Sequence, residues 1–164
     1  MLKNHFYDVY DLQHLSEIET VFKTDGLVGL NVTIPFKEKV VPYLDELSDE
    51  AEKTGAVNCI LIKDQVKKGY NTDVFGFEKT LVLHRKDFHD SALVLGNGGA
   101  AKAVKYVLEQ HQIPYQTVSR NADLNFGNLT AETVRKNRLI IQCTPVGTFP
   151  NVDDCLDFPF DGIT

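Results

Sequence analysis

The chain has 164 residues, 43% of them apolar, and a formal net charge of −6. That is enough for one domain, or two small ones, with an apolar core, and it excludes a globally disordered chain. An acidic balance without a strongly basic stretch argues against a nucleic-acid binder.

In chain order, "HFYDVYD" (5–11) has the aromatic, β-branched composition of a strand, and "LSEIETVF" (15–22) spaces its apolar residues as a helix that Gly26 stops. "LVGLNVTI" (27–34) reads as a second strand, and Pro35 suits the first turn of a following helix, where its missing N–H costs nothing. "LDELSDEAEK" (44–53) reads as an acidic helix with a solvated face, followed by a hairpin of "AVNCILI" (56–62) and "VKKGYN" (66–71). The lysines of "KDQVKK" (63–68) are expected at its solvated tip. Asp73 reads as the N-cap of a helix over "VFGFEKTLVLH" (74–84). Hydrophobicity drops over "HRKDFHD" (84–90), which places a boundary between residues 1–85 and 86–164. Beyond it the period is regular: strand 92–96, helix 99–110, strand 115–119, helix about 130–137, strand 138–143. Strands separated by such helices are βαβ units and predict a parallel sheet. The fold class expected is α/β.

The three cysteines, Cys59, Cys143 and Cys155, form no CxxC pair, and the five histidines form no HxxxH pattern. Reduced thiols in a cytoplasmic protein are expected, and no metal site. No apolar run approaches the roughly 20 residues of a membrane span, and no signal-peptide segment follows Met1, so no membrane partner is expected.

Gly96, Gly98 and Ala101 in "GNGGAAKAV" occupy the three places of G-x-G-x-x-G/A, between a predicted strand and a predicted helix. In that context Gly96 permits the tight turn, Gly98 lets the backbone approach a pyrophosphate, and Ala101 allows close helix–strand packing. The helix N-terminus then offers unpaired N–H groups to the anion. The next strand ends in "TVSRN", with Ser119 and Arg120 where an NAD site usually carries an acid. A guanidinium can make charge-assisted bonds to the 2′-phosphate of NADP, so NADP is favoured, while Asp123 keeps NAD open.

A helix beginning at Pro35 would put Lys37 in its first turn, where the macrodipole disfavours a cation by about 0.3–1 kcal/mol. A lysine present only for solubility would sit better at the other end. Asp73, Asn58 and Thr33 each have an ordinary reading as caps or backbone partners at element ends. Together with Lys37 they fall in the half opposite the glycine turn, the layout expected of a cleft between two lobes.

The motifs "GLNVTIPFKE" (29–38), "GAVN" (55–58), "GYNTDVFGF" (69–77), "GNGGAAKA" (96–103) and "CTPVG" (143–147) resemble, in order and spacing, those of the shikimate dehydrogenase family. The resemblance runs from about residue 27 to 150. It implies a two-lobed protein, with a partial α/β substrate lobe (1–85) and a partial Rossmann-like dinucleotide lobe (86–164). It implies NADPH-dependent, reversible reduction of 3-dehydroshikimate to shikimate, in aromatic amino acid biosynthesis. Quinate as substrate, NAD as cofactor, or a fragment that binds nucleotide without catalysis stay open. On this resemblance Lys37 and Asp73 are the catalytic pair, Thr33 and Asn58 hold substrate hydroxyls, and Gly96, Asn97, Gly98, Gly99 and Ala100 hold pyrophosphate. Ser119 and Arg120 hold the adenosine end, and Thr144 passes near the nicotinamide. A small molecule is the expected partner, and a homodimer is left open.

The family also implies an earlier strand with a Ser-x-Ser grip on the substrate carboxylate, and later elements with a substrate-binding tyrosine and glutamine. Neither is found, so the sequence is expected to be the middle of a longer enzyme and poorly active by itself.

Overall fold

The computed structural model describes residues 6–159. Two sheets organise them. The first holds β1 (Gly29–Asn31), β2 (Glu46–Leu47), β3 (Cys59–Lys63) and β4 (Val66–Tyr70) in the order β1-β3-β4-β2. β3 runs antiparallel to β1 and β4, whereas β2 lies parallel to β4. Asp64 and Gln65 form the hairpin loop with φ of 51° and 65°, the two positive values a tight hairpin turn needs. The helices α1 (Ile18–Val21) and α2 (Asp49–Thr54) bring Ile18 and Ala51 to a core that also holds Val32, Val40, Val57 and Ile60.

Several expectations for this half are corrected. Residues 6–11 form no strand. Phe6, Tyr7 and Val9 are 90%, 77% and 86% exposed, and strand-forming composition without a paired, half-buried face does not make a strand. His5 lies outside the described residues. Pro35 opens no helix: residues 34–40 are a run of turns followed by a 3-10 turn at Val41–Tyr43. The carbonyl of Lys37 that would accept the next helical bond is taken by the Val57 N–H at 2.7 Å, and Pro42 has no N–H to offer Glu38. Without that helix, Lys37 is not in a helical first turn of its own. The acidic stretch divides, because Glu46 and Leu47 pair with Lys68 and Gly69 before Ser48 caps the shorter α2. Lys67 and Lys68 lie within β4 and pair with Asp45 and Glu46 at 2.7 and 3.2 Å, so they are not the loop tip.

The second sheet is parallel throughout: β5 (Ala92–Leu95) lies between β6 (Tyr115–Val118) and β7 (Leu139–Gln142). All four β5 residues are buried, as expected for a strand covered on both faces. On one face Ala92 and Val94 pack with α3 (Thr72–His84) and α4 (Gly99–Gln110), through Val74, Leu81, Ala101 and Val104. On the other, Leu93 and Leu95 meet Val118, Leu129 and Val134, the last from α5 (Ala131–Lys136). The chain therefore leaves β5 toward opposite edges of the sheet. The topological switch point falls between the carboxyl ends of β5 and β7, where α/β sheets of this kind bind ligands. Among the described residues no helix is long and apolar enough to cross a membrane.

Candidate functional site

The structure brings Lys37, Asn58 and Asp73 together. The Lys37 ammonium donates to Asp73 Oδ2 at 2.6 Å, and Asn58 Nδ2 donates to Asp73 Oδ1 at 2.7 Å. Each carboxylate oxygen thus has its own donor. Asp73 is not the N-cap expected of it. Asn71 occupies that position, and Asp73 sits in the first turn of α3, where the helix dipole favours an anion. The capping task falls to Asn58, whose Oδ1 accepts the Thr72 backbone N–H at 2.8 Å. Freed from the cap, the carboxylate can face Lys37. The main chain braces the group, since Val57 N–H donates to Lys37 C=O at 2.7 Å and Val32 N–H to Asn58 C=O at 2.9 Å.

Opposite stands the glycine turn. Gly96 has φ +113°, and a Cβ there would meet the Cys143 carbonyl group at 3.1 Å and Thr144 N at 3.2 Å, so only glycine fits without strain. Gly98 is the N-cap of α4, with open space where a Cβ would point. Ala101, fully buried, lets the helix lie close on the sheet. A Cβ on Gly99 would stand 3.0 Å from Lys37 Cβ and 3.3 Å from its Cδ. The lysine stem therefore lies directly on the helix start.

Between the two halves runs a cleft of about 660 Å³, within the size range of small-molecule and cofactor sites. Its walls include Lys37, Gly96, Asn97, Gly98, Gly99, Ala100, Ser119, Arg120 and Thr144. Three expected site residues are not on those walls. Asn58 and Asp73 are partly exposed and joined to the wall through Lys37, and Thr33 is exposed, its hydroxyl within 3.5 Å of the Ile34 carbonyl. The loop after β6 folds back through Ser119 N–H to Leu124 C=O at 3.2 Å, leaving Arg120 exposed and without an ion pair among the described residues. Thr144 Oγ1 accepts the Val146 N–H at 3.3 Å. Burial pushes the Cys143 thiol, also on the wall, up to about 11.

Four contributors were not singled out in the sequence. Phe126 and Leu156 give the cleft apolar surface. Lys102 reaches across to Glu38 at 2.6 Å, and Lys105 donates to the side chain of Asn97. The signal for Lys102 was available: it is a cation at the end of the first turn of a helix, where the dipole disfavours positive charge.

A two-lobed α/β protein with a Rossmann-like second sheet is the class these features define. Residues 3–60 match the family described as the shikimate dehydrogenase substrate binding domain. The chain is 37% identical over 161 residues to the shikimate dehydrogenase (NADP(+)) of Clostridium beijerinckii, covering 90% of this chain and 60% of that protein. The crystal structure of shikimate 5-dehydrogenase from Thermus thermophilus in complex with NADP(H) and shikimate matches with a TM-score of 0.72 at 28% identity, over 90% of this chain and 58% of that one. Quinate dehydrogenase from Corynebacterium glutamicum in complex with NAD matches with a TM-score of 0.76 at 25% identity, over 94% of this chain and 62% of that one. Over the stretch it shares with them, the chain is similar to shikimate dehydrogenases. It spans about three-fifths of the length of such relatives.

Proposed function

We propose that the protein is a shikimate dehydrogenase, which interconverts 3-dehydroshikimate and shikimate with NADP(H). The observation that carries the reading is the position of Lys37: its ammonium is 2.6 Å from Asp73, and its stem lies on Gly99 at the head of the glycine turn. The residues fit a dinucleotide. Gly96 and Gly98 clear the backbone, the first N–H groups of α4 have no partner within the helix, and Arg120 is an available cation for a 2′-phosphate. When bound, NADP(H) supplies the hydride for reduction and takes it up in oxidation.

The chain's own groups do the rest. Lys37, on the cleft wall, stabilises the negative charge that grows on the ketone oxygen and gives it a proton; in the reverse direction it receives one. Asp73 holds the ammonium in place and accepts a hydrogen bond from a substrate hydroxyl. Asn58 locks the carboxylate from its other oxygen and offers its amide to a second hydroxyl, with Thr33 at the rim. Gly96 to Ala100 seat the pyrophosphate, Ser119 and Arg120 the adenosine end, and Thr144 flanks the nicotinamide. The division near residue 85 separates the substrate lobe from the nucleotide lobe, and the free thiols accord with a cytoplasmic setting.

The test is calorimetric titration with NADP, together with an assay of NADP-dependent shikimate oxidation that follows reduced nicotinamide. Saturable NADP binding is expected, with turnover lowered by about 10²–10⁴ in K37A. Absence of both NADP and NAD binding would overturn the reading. A second reading, quinate oxidation with NAD, is favoured by the likeness to the quinate dehydrogenase and by exposed Asp123 beside the adenosine end. Comparing kcat/KM for the four substrate–cofactor pairs separates the two.

A further inference from the structure

The second place of the glycine turn is filled by a residue with a polar side chain, Asn97, exposed on the cleft wall. Its Oδ1 accepts a hydrogen bond from the ammonium of Lys105, which lies in the second turn of α4. A lysine ammonium has three donors and no acceptor, so the carboxamide must turn its oxygen inward to Lys105. The amide –NH₂ then has one direction left, away from the helix and toward the cleft. Lys105 is only partly exposed and makes no ion pair among the described residues, so a carboxylate does not compete for it. Its neighbour Lys102, by contrast, is held by Glu38. Burial also holds the Lys105 ammonium below the usual lysine range, consistent with a cation kept partly out of water.

We propose that Lys105 is a positioning residue that fixes Asn97 as a side-chain donor to the diphosphate of the bound dinucleotide, supplementing the backbone N–H groups of the turn. The inference rests on the dinucleotide reading and adds to it a contact that the glycine pattern does not supply, since that pattern leaves the second place unspecified. The diphosphate is common to NADP and NAD, so the contact adds affinity without discriminating between them, which separates it from the expected action of Arg120.

The experiment is calorimetric titration of the 164-residue chain and its variants with NADP and with NAD. N97A is expected to weaken both cofactors equally, by about tenfold, the usual worth of a hydrogen bond to a charged group. N97D, which keeps the bond to Lys105 but turns an anion toward the diphosphate, is expected to weaken both at least as much. K105M is expected to lose part of the same affinity with its melting temperature unchanged, and K105R to restore it, because a guanidinium also donates to Oδ1. N97A and K105M that bind both cofactors as tightly as wild type would overturn the inference alone. K105M that loses binding while N97A keeps it would also overturn it, since Lys105 would then act without Asn97. A wild-type chain that binds neither cofactor would overturn the dinucleotide reading together with this one.

Discussion

The Lys37 stem packs on the backbone of Gly99, so close that a methyl group there would stand 3.0 Å from Lys37 Cβ. Gly99 has no positive φ and begins a helix, where alanine is otherwise the better residue. Gly99→Ala is therefore expected to leave the melting temperature unchanged or raised while pushing Lys37 aside by a few tenths of an ångström. Misplacement on that scale should lower kcat by roughly threefold to tenfold. Unchanged kcat with a lowered melting temperature would mean that Gly99 serves packing and not the placement of the lysine.

Lys37→Ala should lower kcat by about 10²–10⁴, the contribution of a positioned proton donor. Asp73→Asn keeps the shape but removes the charge that holds the ammonium at 2.6 Å, and a loss of similar order is expected. Steady-state rates with shikimate and NADP measure both. A Lys37→Ala protein that keeps more than half its kcat is incompatible with the assigned role.

Arg120→Ala should weaken NADP much more than NAD. The guanidinium is exposed at the cleft and without an ion pair among the described residues. A charge-assisted bond contributes about 1.5–3 kcal/mol, so the preference should shift by at least roughly tenfold. Equal losses for the two cofactors, read from parallel titrations, would place Arg120 away from the 2′-phosphate.

Burial pushes the Cys143 thiol from an ordinary value of 9.0 up to about 11. The unfolded chain gives up that proton at lower pH than the folded one. The stability this group contributes is complete below about pH 9 and is lost as pH rises toward 11. Tyr115, raised to about 12 by burial and by its hydrogen bond to Glu109, adds a later fall of the same sign. Denaturant melts of wild type and Cys143→Ala should run parallel below pH 9 and converge or cross above it. Parallel curves throughout would show that the thiol does not carry this dependence.

The second half of the fold was the more legible in the sequence. Its strands alternate with helices at a regular period, and "GNGGAAKA" marks the turn at the sheet's switch point before any coordinate is known. The first half was harder because long-range pairing decides it. Residues 44–47 look helical by composition, yet Glu46 and Leu47 complete a sheet edge beside β4, which propensity cannot foresee. Pro35 is a good helix opener, but the carbonyl that the helix needs is claimed by Val57, some 20 residues on. The helical dipole that marks Lys37 in the sequence is absent, and what distinguishes the lysine instead is its contact with Asp73 and Gly99. The capping duty expected of Asp73 is taken by Asn58 at α3, and the aspartate faces the lysine. Two short polar side chains near one helix start can divide that work either way, and only packing chooses.

The main-chain bonds from Val57 to Lys37 and from Val32 to Asn58, at 2.7 and 2.9 Å, have a mechanical consequence. With Asp73 hydrogen-bonded to both side chains, the three groups form one continuous network. Asp73, however, belongs to α3, which packs on the second sheet, so the network bridges the two sheets. On the proposed reading, the proton donor is thus a coupling between the sheets: its ammonium is held by Asp73 at the start of α3, and its stem lies against Gly99 at the start of α4.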